Sequence, residues 1–416
     1  MPGDNALRDL LHAAVTAIGG VERPGQVRMA EEVADTLSTG EHLLVQAGTG
    51  IGKSLAYLVP ALAHKDADGH AVVVATATLA LQRQLIARDL PRTVEALAGP
   101  LGRRPSYAIL KGRSNYLCLH RLHDGVPDDQ EALFAPAPTS SLGREVLRVR
   151  EWARDAETGD RDELSPGVSD RAWSQLSVSA RECLGASRCP YGDECFAEIA
   201  REQARDADIV VTNHALLAID ALGSAPVLPE HGAVIVDEAH ELAARATAAA
   251  TDELTPALAE RAARRAARFV DDPDAVRDAA EALRPVLDAS RPGRLVQLPE
   301  DLAGALAALR DAARAVLSEI TGTRDRDVSD DAARRQALAA IEGVFDTAER
   351  ALAASEHDVV WVERSARFGP SLRVAPLAVA GLLREKLFAQ RTAVLTSATL
   401  KLGGDFATLA RSVGLE

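Results

Sequence analysis

Short apolar runs at six places along the chain predict the strands of one β-sheet. They lie at 43–46, 72–76 and 107–110, within ADIVVTNHALLA (207–218) and AVIVDEAHE (233–241), and at 392–397. Most are followed by a turn or by the start of a helical pattern. Apolar runs of this length that alternate with helices are typical of α/β proteins, in which both faces of a parallel sheet are covered.

A different pattern occupies residues 246–357. Segments such as LTPALAERAARRAARFV and DLAGALAALRDAARAVLSEI place apolar residues at i, i+3, i+4 and i+7, which predicts amphipathic helices. Two β segments are predicted next, at 357–365 and 371–379. Upstream, the polar stretch 155–170 is interpreted as an exposed, mobile loop.

Composition places the chain among globular proteins. Of its 416 residues, 47% are hydrophobic and 26% are charged. No apolar run approaches the ~18 residues that a membrane helix needs, and acidic residues stand where a signal peptide would be cationic. We therefore predict a cytoplasmic protein without a membrane partner, in which thiols are kept reduced.

The charge is unevenly distributed. The net charge is −14, yet residues 83–121 hold eight Lys or Arg against two acidic residues. A basic segment in an acidic protein can form a groove that follows the phosphates of a nucleic acid. It can equally be a solvated charged face, and charge alone leaves both interpretations open.

The strongest chemical signal is AGTGIGKS at residues 47–54, between an apolar run and a helical pattern. It fits a phosphate-binding loop, with Ala47 where the general pattern prefers glycine. Backbone N–H groups of such a loop surround the β-phosphate, a lysine reaches the β- and γ-phosphates, and a hydroxyl holds Mg²⁺. The predicted ATP contacts are Gly48, Thr49, Gly50, Gly52, Lys53 and Ser54.

A second element supports a nucleotide site. The apolar run in AVIVDEAHE ends in two adjacent carboxylates, Asp237 and Glu238. At the carboxyl edge of a parallel sheet, Asp237 would hold the metal of Mg²⁺–ATP, and Glu238 would orient or deprotonate the attacking water. Alone, an Asp-Glu pair can also simply complement a helix N-terminus.

Four cysteines form the third signal. Their spacing is C-x64-C-x5-C-x5-C, from Cys118 through Cys183 and Cys189 to Cys195. Neither zinc-knuckle nor bacterial ferredoxin spacing is matched. From the residues alone, four thiolates could hold one tetrahedral zinc or one cubane cluster.

Together these motifs resemble a superfamily 2 helicase. DEAH follows an apolar strand, and AGTGIGKS precedes it. ERPGQVRMAEEVADTL (22–37) is similar to the adenine-reading Q-motif, VVVATATLALQRQL (72–85) to motif Ia, and AVLTSATL (393–400) to motif III. The resemblance implies nucleotide contacts from Arg23, Gln26 and His240. It implies DNA contacts, or coupling to DNA, from Thr76, Thr78, Ser397 and Thr399.

The position and order of the cysteines resemble the DinG branch of the XPD-like helicases. This implies a [4Fe–4S] cluster held by the four thiolates, with Lys111, Arg113 and Tyr116 beside single-stranded DNA. For Tyr116, a buried core aromatic is the competing interpretation. The implied activity is ATP-dependent 5′→3′ unwinding of DNA in repair or replication, on single-stranded and forked DNA. A P-loop ATPase or a non-catalytic nucleic-acid-binding fragment with a structural zinc remains the alternative.

The resemblance also implies a domain organisation. The fold class is α/β, a RecA-like P-loop domain with a parallel sheet that an iron–sulfur insertion and a helical arch interrupt. The expected segments are 1–113, 201–245 and 376–416 for the RecA-like domain, 114–200 for the cluster insertion, and 246–375 for the arch-like subdomain. The sequence runs about one helix beyond motif III, so a second RecA-like domain is expected to lie outside these 416 residues, in cis or in trans.

Overall fold

The computed structural model describes residues 4–48, 50–64, 69–123, 140–223, 226–272, 274–322, 331–365 and 369–415. Residue contacts divide the chain into two compact units, each assembled from separate stretches of sequence. Unit 1 comprises Met1–Lys111, Ala197–Ala249 and Ala378–Glu416; unit 2 comprises Gly112–Phe196 and Ala250–Leu377.

Strands and helices alternate through most of the described chain. The strands are β1 (Leu43–Gln46), β2 (Ala71–Thr76), β3 (Tyr107–Ile109), β4 (Ile209–Asn213), β5 (His231–Asp237), β6 (Asp252–Leu254), β7 (Gly293–Leu295), β8 (Asp358–Ser365), β9 (Gly369–Pro376) and β10 (Thr392–Ser397). The α-helices are α1 (Asp4–Ala17), α2 (Pro24–Thr39), α3 (Lys53–Ala63), α4 (Leu79–Gln84), α5 (Leu90–Leu101), α6 (Leu119–His123), α7 (Ser141–Trp152), α8 (Asp170–Leu176), α9 (Phe196–Arg205), α10 (His214–Leu222), α11 (Leu242–Ala249), α12 (Pro256–Ala266), α13 (Ala275–Ala289), α14 (Glu300–Gly322), α15 (Asp331–Ala353), α16 (Ala380–Leu383) and α17 (Ala407–Val413). None of the helices in the described ranges has the length and apolar character needed to cross a bilayer.

Unit 1 is built on a six-stranded sheet in the order β1-β10-β5-β2-β4-β3, and each neighbouring pair is parallel. Helices α1 to α5 pack on one face, and α10, α11, α16 and α17 pack on the other. Alternate residues of one strand serve the two faces: Ile235 joins the first core, and Val234 and Val236 join the second. Because both faces are covered, the strands are continuous apolar runs. The predicted α/β class with a parallel sheet is confirmed.

The strand order determines where the candidate site forms. Strand β10 lies between β1, which leads into the glycine-rich loop, and β5, which ends in the paired carboxylates. Its residue Thr396 pairs with Val45 on one side and with Asp237 on the other. The carboxyl ends of three strands that are far apart in sequence therefore meet at one edge.

Unit 2 contains a four-stranded antiparallel sheet in the order β6-β9-β8-β7. Helices α12 to α15 supply most of its core, with residues such as Leu283, Leu306 and Ile341 fully buried. Strands β8 and β9 lie where the sequence predicts two β segments. The flanking strands β6 and β7 are three residues each, too short to leave a periodic signal.

A second, smaller core in unit 2 surrounds Trp173. It is formed by Leu117, Val149, Leu164, Trp173 and Leu176. The interpretation of 155–170 as an exposed loop is wrong at Asp160 and Leu164, which are 8% and 6% exposed. Leu164 turns inward because this core needs an apolar side chain, and Trp173 Nε1 donates a hydrogen bond to the Ser114 carbonyl at 2.7 Å.

Candidate nucleotide site and the cysteine segments

The glycine-rich loop connects the end of β1 to the first residue of α3, Lys53. Gly50 and Gly52 have φ angles of 85° and 90°, a region that favours glycine. A Cβ at Gly52 would also collide with the side-chain amide of Gln26. Thr49, a predicted contact, lies outside the described residues. The loop therefore requires glycine at position 52 for its backbone and for the close approach of Gln26.

Lys53 and the two carboxylates of the DEAH segment meet at the edge of the sheet. The Nζ atom of Lys53 lies 3.1 Å from Glu238 Oε1 and 4.0 Å from Asp237 Oδ1. Asp237 is the last residue of β5 and is 2% exposed. Glu238 has φ 56° and ψ 45°, a conformation that costs a non-glycine residue about 1–2 kcal/mol. The three predicted catalytic side chains are thus brought together, although Lys53 and Asp237 are 184 positions apart in sequence.

Tyr57, which the sequence reasoning missed, orients Asp237. It lies one helical turn after Lys53 on α3 and is fully buried. Its hydroxyl donates a hydrogen bond to Asp237 Oδ2 at 3.0 Å, and the backbone N–H of Glu238 donates to Asp237 Oδ1 at 2.9 Å. The i, i+4 spacing on a helix places Lys53 and Tyr57 on one face, and this was the signal available in the sequence.

The two carboxylates differ in their electrostatic environment. Burial raises the pKa of Asp237, although the charge of Lys53 and the hydrogen bond from Tyr57 oppose the shift. At Glu238 burial also acts to raise the pKa, but hydrogen bonds from Ser397 and Lys53 outweigh it, and the pKa is lowered. Glu238 is therefore held as a carboxylate, with its orientation fixed from two sides.

Ser397, the last residue of β10, connects Glu238 to the motif III segment. Its hydroxyl donates to Glu238 Oε2 at 2.6 Å. Since that hydroxyl has one proton, the contact with His240 Nδ1 at 2.8 Å is donated by the imidazole. The backbone N–H of Thr399 also donates to Ser397 Oγ, at 3.3 Å. All four residues were predicted as site residues, and a single hydroxyl joins them.

His214 is a second residue that the sequence reasoning did not select. It begins α10, is buried, and donates from Nε2 to the carbonyl oxygen of Asp237 at 2.8 Å. Burial lowers its pKa to about 4, so the ring is neutral near pH 7. Through this hydrogen bond it holds the backbone of the DEAH segment at Asp237.

The predicted Q-motif residues lie beside the loop. Gln26 is buried, and its Nε2 donates to the carbonyl oxygen of Gly52 at 3.1 Å. Arg23 precedes α2, and its guanidinium approaches Gly50. Ser54, the predicted Mg²⁺ ligand, directly follows Lys53 at the start of α3. In this structure Gln26 contacts the phosphate-binding loop itself.

The predicted DNA-contacting residues have local partners. Thr76 Oγ1 donates to the Thr78 carbonyl at 3.3 Å, and Thr78 Oγ1 accepts from Leu81 N and caps α4. Lys111 and Tyr116 are both buried. The burial of Tyr116 leaves little of its ring exposed for stacking on a base.

The four cysteines all lie in unit 2 and form no disulfide. The Nη1 atom of Arg113 donates to Cys183 Sγ at 3.3 Å, and Gly185 N donates to the same sulfur at 3.4 Å. Burial raises the pKa of Cys118 to about 11, and the nearby Cys183 and Cys189 act in the same direction. Cys183 and Cys189 are thus close enough to Cys118 to affect its ionisation.

The arrangement of the four thiols bears on which metal centre unit 2 could hold. Within the described ranges, no three or more His, Cys, Asp or Glu side chains are arranged around a point that could hold a single ion. A cubane cluster takes four separate thiolates, each on a different iron. The four half-buried thiols of unit 2, none of them in a disulfide, provide that number of donors.

Comparison with known proteins agrees with the helicase resemblance of the sequence motifs. The family model for DEAD/DEAH box helicases matches residues 27–103. A protein of Mycobacterium tuberculosis H37Rv, the ATP-dependent helicase DinG, is 51% identical over 425 residues, 98% of this chain and 64% of that protein. The ATP-dependent DNA helicase YoaA of Escherichia coli K12 is 39% identical over 225 residues, 53% of this chain and 33% of its own.

A solved XPD helicase has a similar fold. It matches with a TM-score of 0.50 at 15% identity, over 95% of this chain and 61% of that one. The chain spans less than two thirds of the length of the relatives that it matches along its whole sequence.

Proposed function

Because this chain is a homologue of the ATP-dependent helicase DinG along 98% of its own length, we propose that it is the ATP-binding part of a DNA helicase that moves 5′→3′ on single-stranded DNA. The observation that carries the proposal is the meeting of Lys53, Asp237 and Glu238 at one edge of a parallel sheet. Single-stranded and forked DNA are the proposed substrates, and repair or replication is the proposed setting.

The site residues have distinct proposed roles in ATP hydrolysis. Lys53 exchanges its ion pair with Glu238 for the β- and γ-phosphates, which frees that carboxylate to orient the attacking water. Asp237, whose carboxylate accepts a hydrogen bond from Tyr57, would hold Mg²⁺ together with Ser54. Through its hydroxyl, Ser397 transmits a shift of Glu238 to the segment that follows β10.

We further propose that Cys118, Cys183, Cys189 and Cys195 hold a [4Fe–4S] cluster. When bound, the cluster would join the four thiolates of the protein and so tie together segments 65 positions apart in sequence. Arg113 Nη1 and the Gly185 N–H both donate hydrogen bonds to Cys183 Sγ, which orients that sulfur. A structural zinc is the competing occupant.

A complete motor is proposed to need a second RecA-like domain. Such a domain supplies an arginine that stabilises charge on the transferring phosphate and is worth roughly 10³–10⁵ in rate. These 416 residues alone are therefore proposed to bind Mg²⁺–ATP but to hydrolyse it slowly. Turnover stimulated by DNA to the level of intact helicases would contradict this.

The test is Lys53→Ala, with exposed Lys386→Ala in the same unit as the matched control. In this chain the change should lower the affinity for a fluorescent ATP analogue at least about tenfold, the loss of one charge-assisted contact. In a protein with both motor domains it should abolish unwinding and leave DNA binding largely intact. Normal unwinding by that variant would exclude the enzymatic proposal and leave a nucleic-acid-binding role.

A further inference from the structure

The glutamine that ends β1, Gln46, contacts the segment that follows β10. Its backbone pairs with that of Ser397 in the parallel sheet. Its side-chain oxygen Oε1 accepts hydrogen bonds from the backbone N–H groups of Leu400, at 3.1 Å, and of Lys401, at 2.7 Å. An amide oxygen has two lone pairs, so one side chain can accept both bonds. The residue just before the phosphate-binding loop is therefore linked to the end of the motif III segment.

The two bonds satisfy backbone groups that secondary structure leaves open. Residues 398–401 belong to neither a strand nor a helix, so their N–H groups need other acceptors. Thr399 N donates to Ser397 Oγ at 3.3 Å, and the next two N–H groups donate to Gln46. Ser397 in turn donates to Glu238. The segment after β10 is thus held from two sides, by the carboxylate strand through Ser397 and by the loop strand through Gln46.

A tight turn at residues 402–405 follows directly. Leu402 N donates to the Asp405 carbonyl at 3.1 Å, and Gly403 and Gly404 have φ angles of 68° and 99°. Two successive residues with positive φ are typical of a two-residue turn that requires glycine. The Leu402 side chain is 64% exposed. Because so short a turn moves with the residues that anchor it, a shift at 400–401 is carried to the surface of unit 1.

Gln46 differs from the buried residues of the nucleotide site. It is exposed and belongs to neither of the two apolar cores of unit 1. Its replacement therefore opens no cavity in the core, which is the usual origin of a large loss of stability. What the replacement removes is one acceptor for two backbone N–H groups.

We propose that Gln46 is a positioning residue that couples the phosphate-binding loop to the turn at 402–405. Phosphates that bind the backbone N–H groups of the loop fix its conformation, and the loop begins directly after Gln46. Through Oε1 this change passes to the backbone of 400–401 and so to the turn. The inference rests on the proposed ATP site, to which it adds a second connection beside the one through Ser397.

The test compares Gln46→Leu, which removes the acceptor at similar size, with Gln46→Glu, which keeps an acceptor oxygen. Backbone hydrogen exchange over residues 398–406 is followed by mass spectrometry in the full chain, with and without saturating adenylyl imidodiphosphate and Mg²⁺. In the parent chain, bound nucleotide should slow exchange at 400–401 by about threefold or more. In Gln46→Leu these amides should exchange roughly tenfold faster, as expected for lost hydrogen bonds, and should not respond to nucleotide. Gln46→Glu should retain the response.

Nucleotide affinity, measured by competition with a fluorescent ATP analogue, separates this role from a contribution to binding. The affinity of Gln46→Leu should stay within about threefold of that of the parent chain, since the changed side chain lies outside the loop. Gln203→Leu, at an exposed glutamine of α9 in the same unit, is the matched control and should equal the parent chain in both measurements.

Three results would overturn the inference while leaving the ATP site intact. They are a Gln46→Leu variant that responds to nucleotide as the parent chain does, a Gln46→Glu variant that loses the response as completely as Gln46→Leu, and a parent chain that binds nucleotide without any response at 400–401. A parent chain that binds no nucleotide would instead overturn the proposed ATP site, and this inference with it.

Discussion

The hydroxyl of Tyr57 donates a hydrogen bond to Oδ2 of Asp237 across 180 positions of sequence. This leaves Oδ1 as the oxygen that faces Lys53. A buried carboxylate that should hold a metal needs one oxygen fixed so that the other is correctly aimed.

Tyr57→Phe should therefore weaken the Mg²⁺-dependent part of nucleotide binding. A hydrogen bond to a charged group is worth about 1.5–3 kcal/mol, so the Mg²⁺ concentration for half-maximal binding of a fluorescent ATP analogue should rise roughly tenfold or more. Binding without Mg²⁺ should change little. Tyr107→Phe, a half-buried tyrosine on β3, is the control, and an unaltered Mg²⁺ requirement in Tyr57→Phe would show that the contact is only structural.

Gln26 offers a test of how the base is read. Its side-chain amide donates to the Gly52 carbonyl, so we expect Gln26→Ala to loosen the phosphate-binding loop. The affinities for ATP and GTP should then fall by the same factor, measured by competition with a common fluorescent analogue. A loss confined to ATP would instead support the adenine-reading role that the Q-motif resemblance implies.

The buried His214 predicts a pH dependence of stability. Its pKa is about 4 in the folded protein and 6.5 in the unfolded chain, so between these values the unfolded state binds a proton that the folded state excludes. The contribution is fully present above pH 6.5 and is lost as pH falls toward 4, by up to about 3 kcal/mol.

Urea unfolding at pH 7, 5.5 and 4.5 measures this contribution. His214→Gln, which keeps a donor for the Asp237 carbonyl, should be less sensitive to acid than the parent protein. Exposed His357→Gln should match the parent at every pH. Equal acid sensitivity of all three proteins would mean that His214 is not the group that titrates.

The cysteines predict a specific metal content. Anaerobically purified protein should contain about four irons and four sulfides per chain and absorb near ~400 nm. Changing any one of the four cysteines to serine should lower the iron content and speed bleaching in air, whereas His120→Ala, two positions after Cys118, should retain the cluster. One zinc per chain and no sulfide would establish the competing occupant.

The nucleotide site was predictable because each of its main parts leaves a local pattern. A glycine-rich loop after a strand and a strand that ends in two carboxylates can be found separately, and parallel topology brings their carboxyl ends to one edge. These two local patterns and the parallel topology were sufficient to predict that Lys53 and Asp237 lie close together.

The missed residues depend on contacts between distant segments, which leave at most a weak local pattern such as the i, i+4 spacing of Lys53 and Tyr57. Tyr57 stands in a buried helix among Leu55, Leu58 and Val59 and is patterned like them. His214 could have been any helix-starting residue until β5 was placed beside it.

The position of β10 between β1 and β5 has a consequence for synthesis. A growing chain carries the loop strand and the carboxylate strand long before residues 392–397 leave the ribosome, yet those residues must insert between the two. Until they emerge, the nascent sheet has an unfilled gap with exposed backbone on both sides, which is a point of vulnerability to mispairing and a natural place for chaperone engagement. Competence to bind nucleotide should thus arise only after residues 392–397 have emerged and paired.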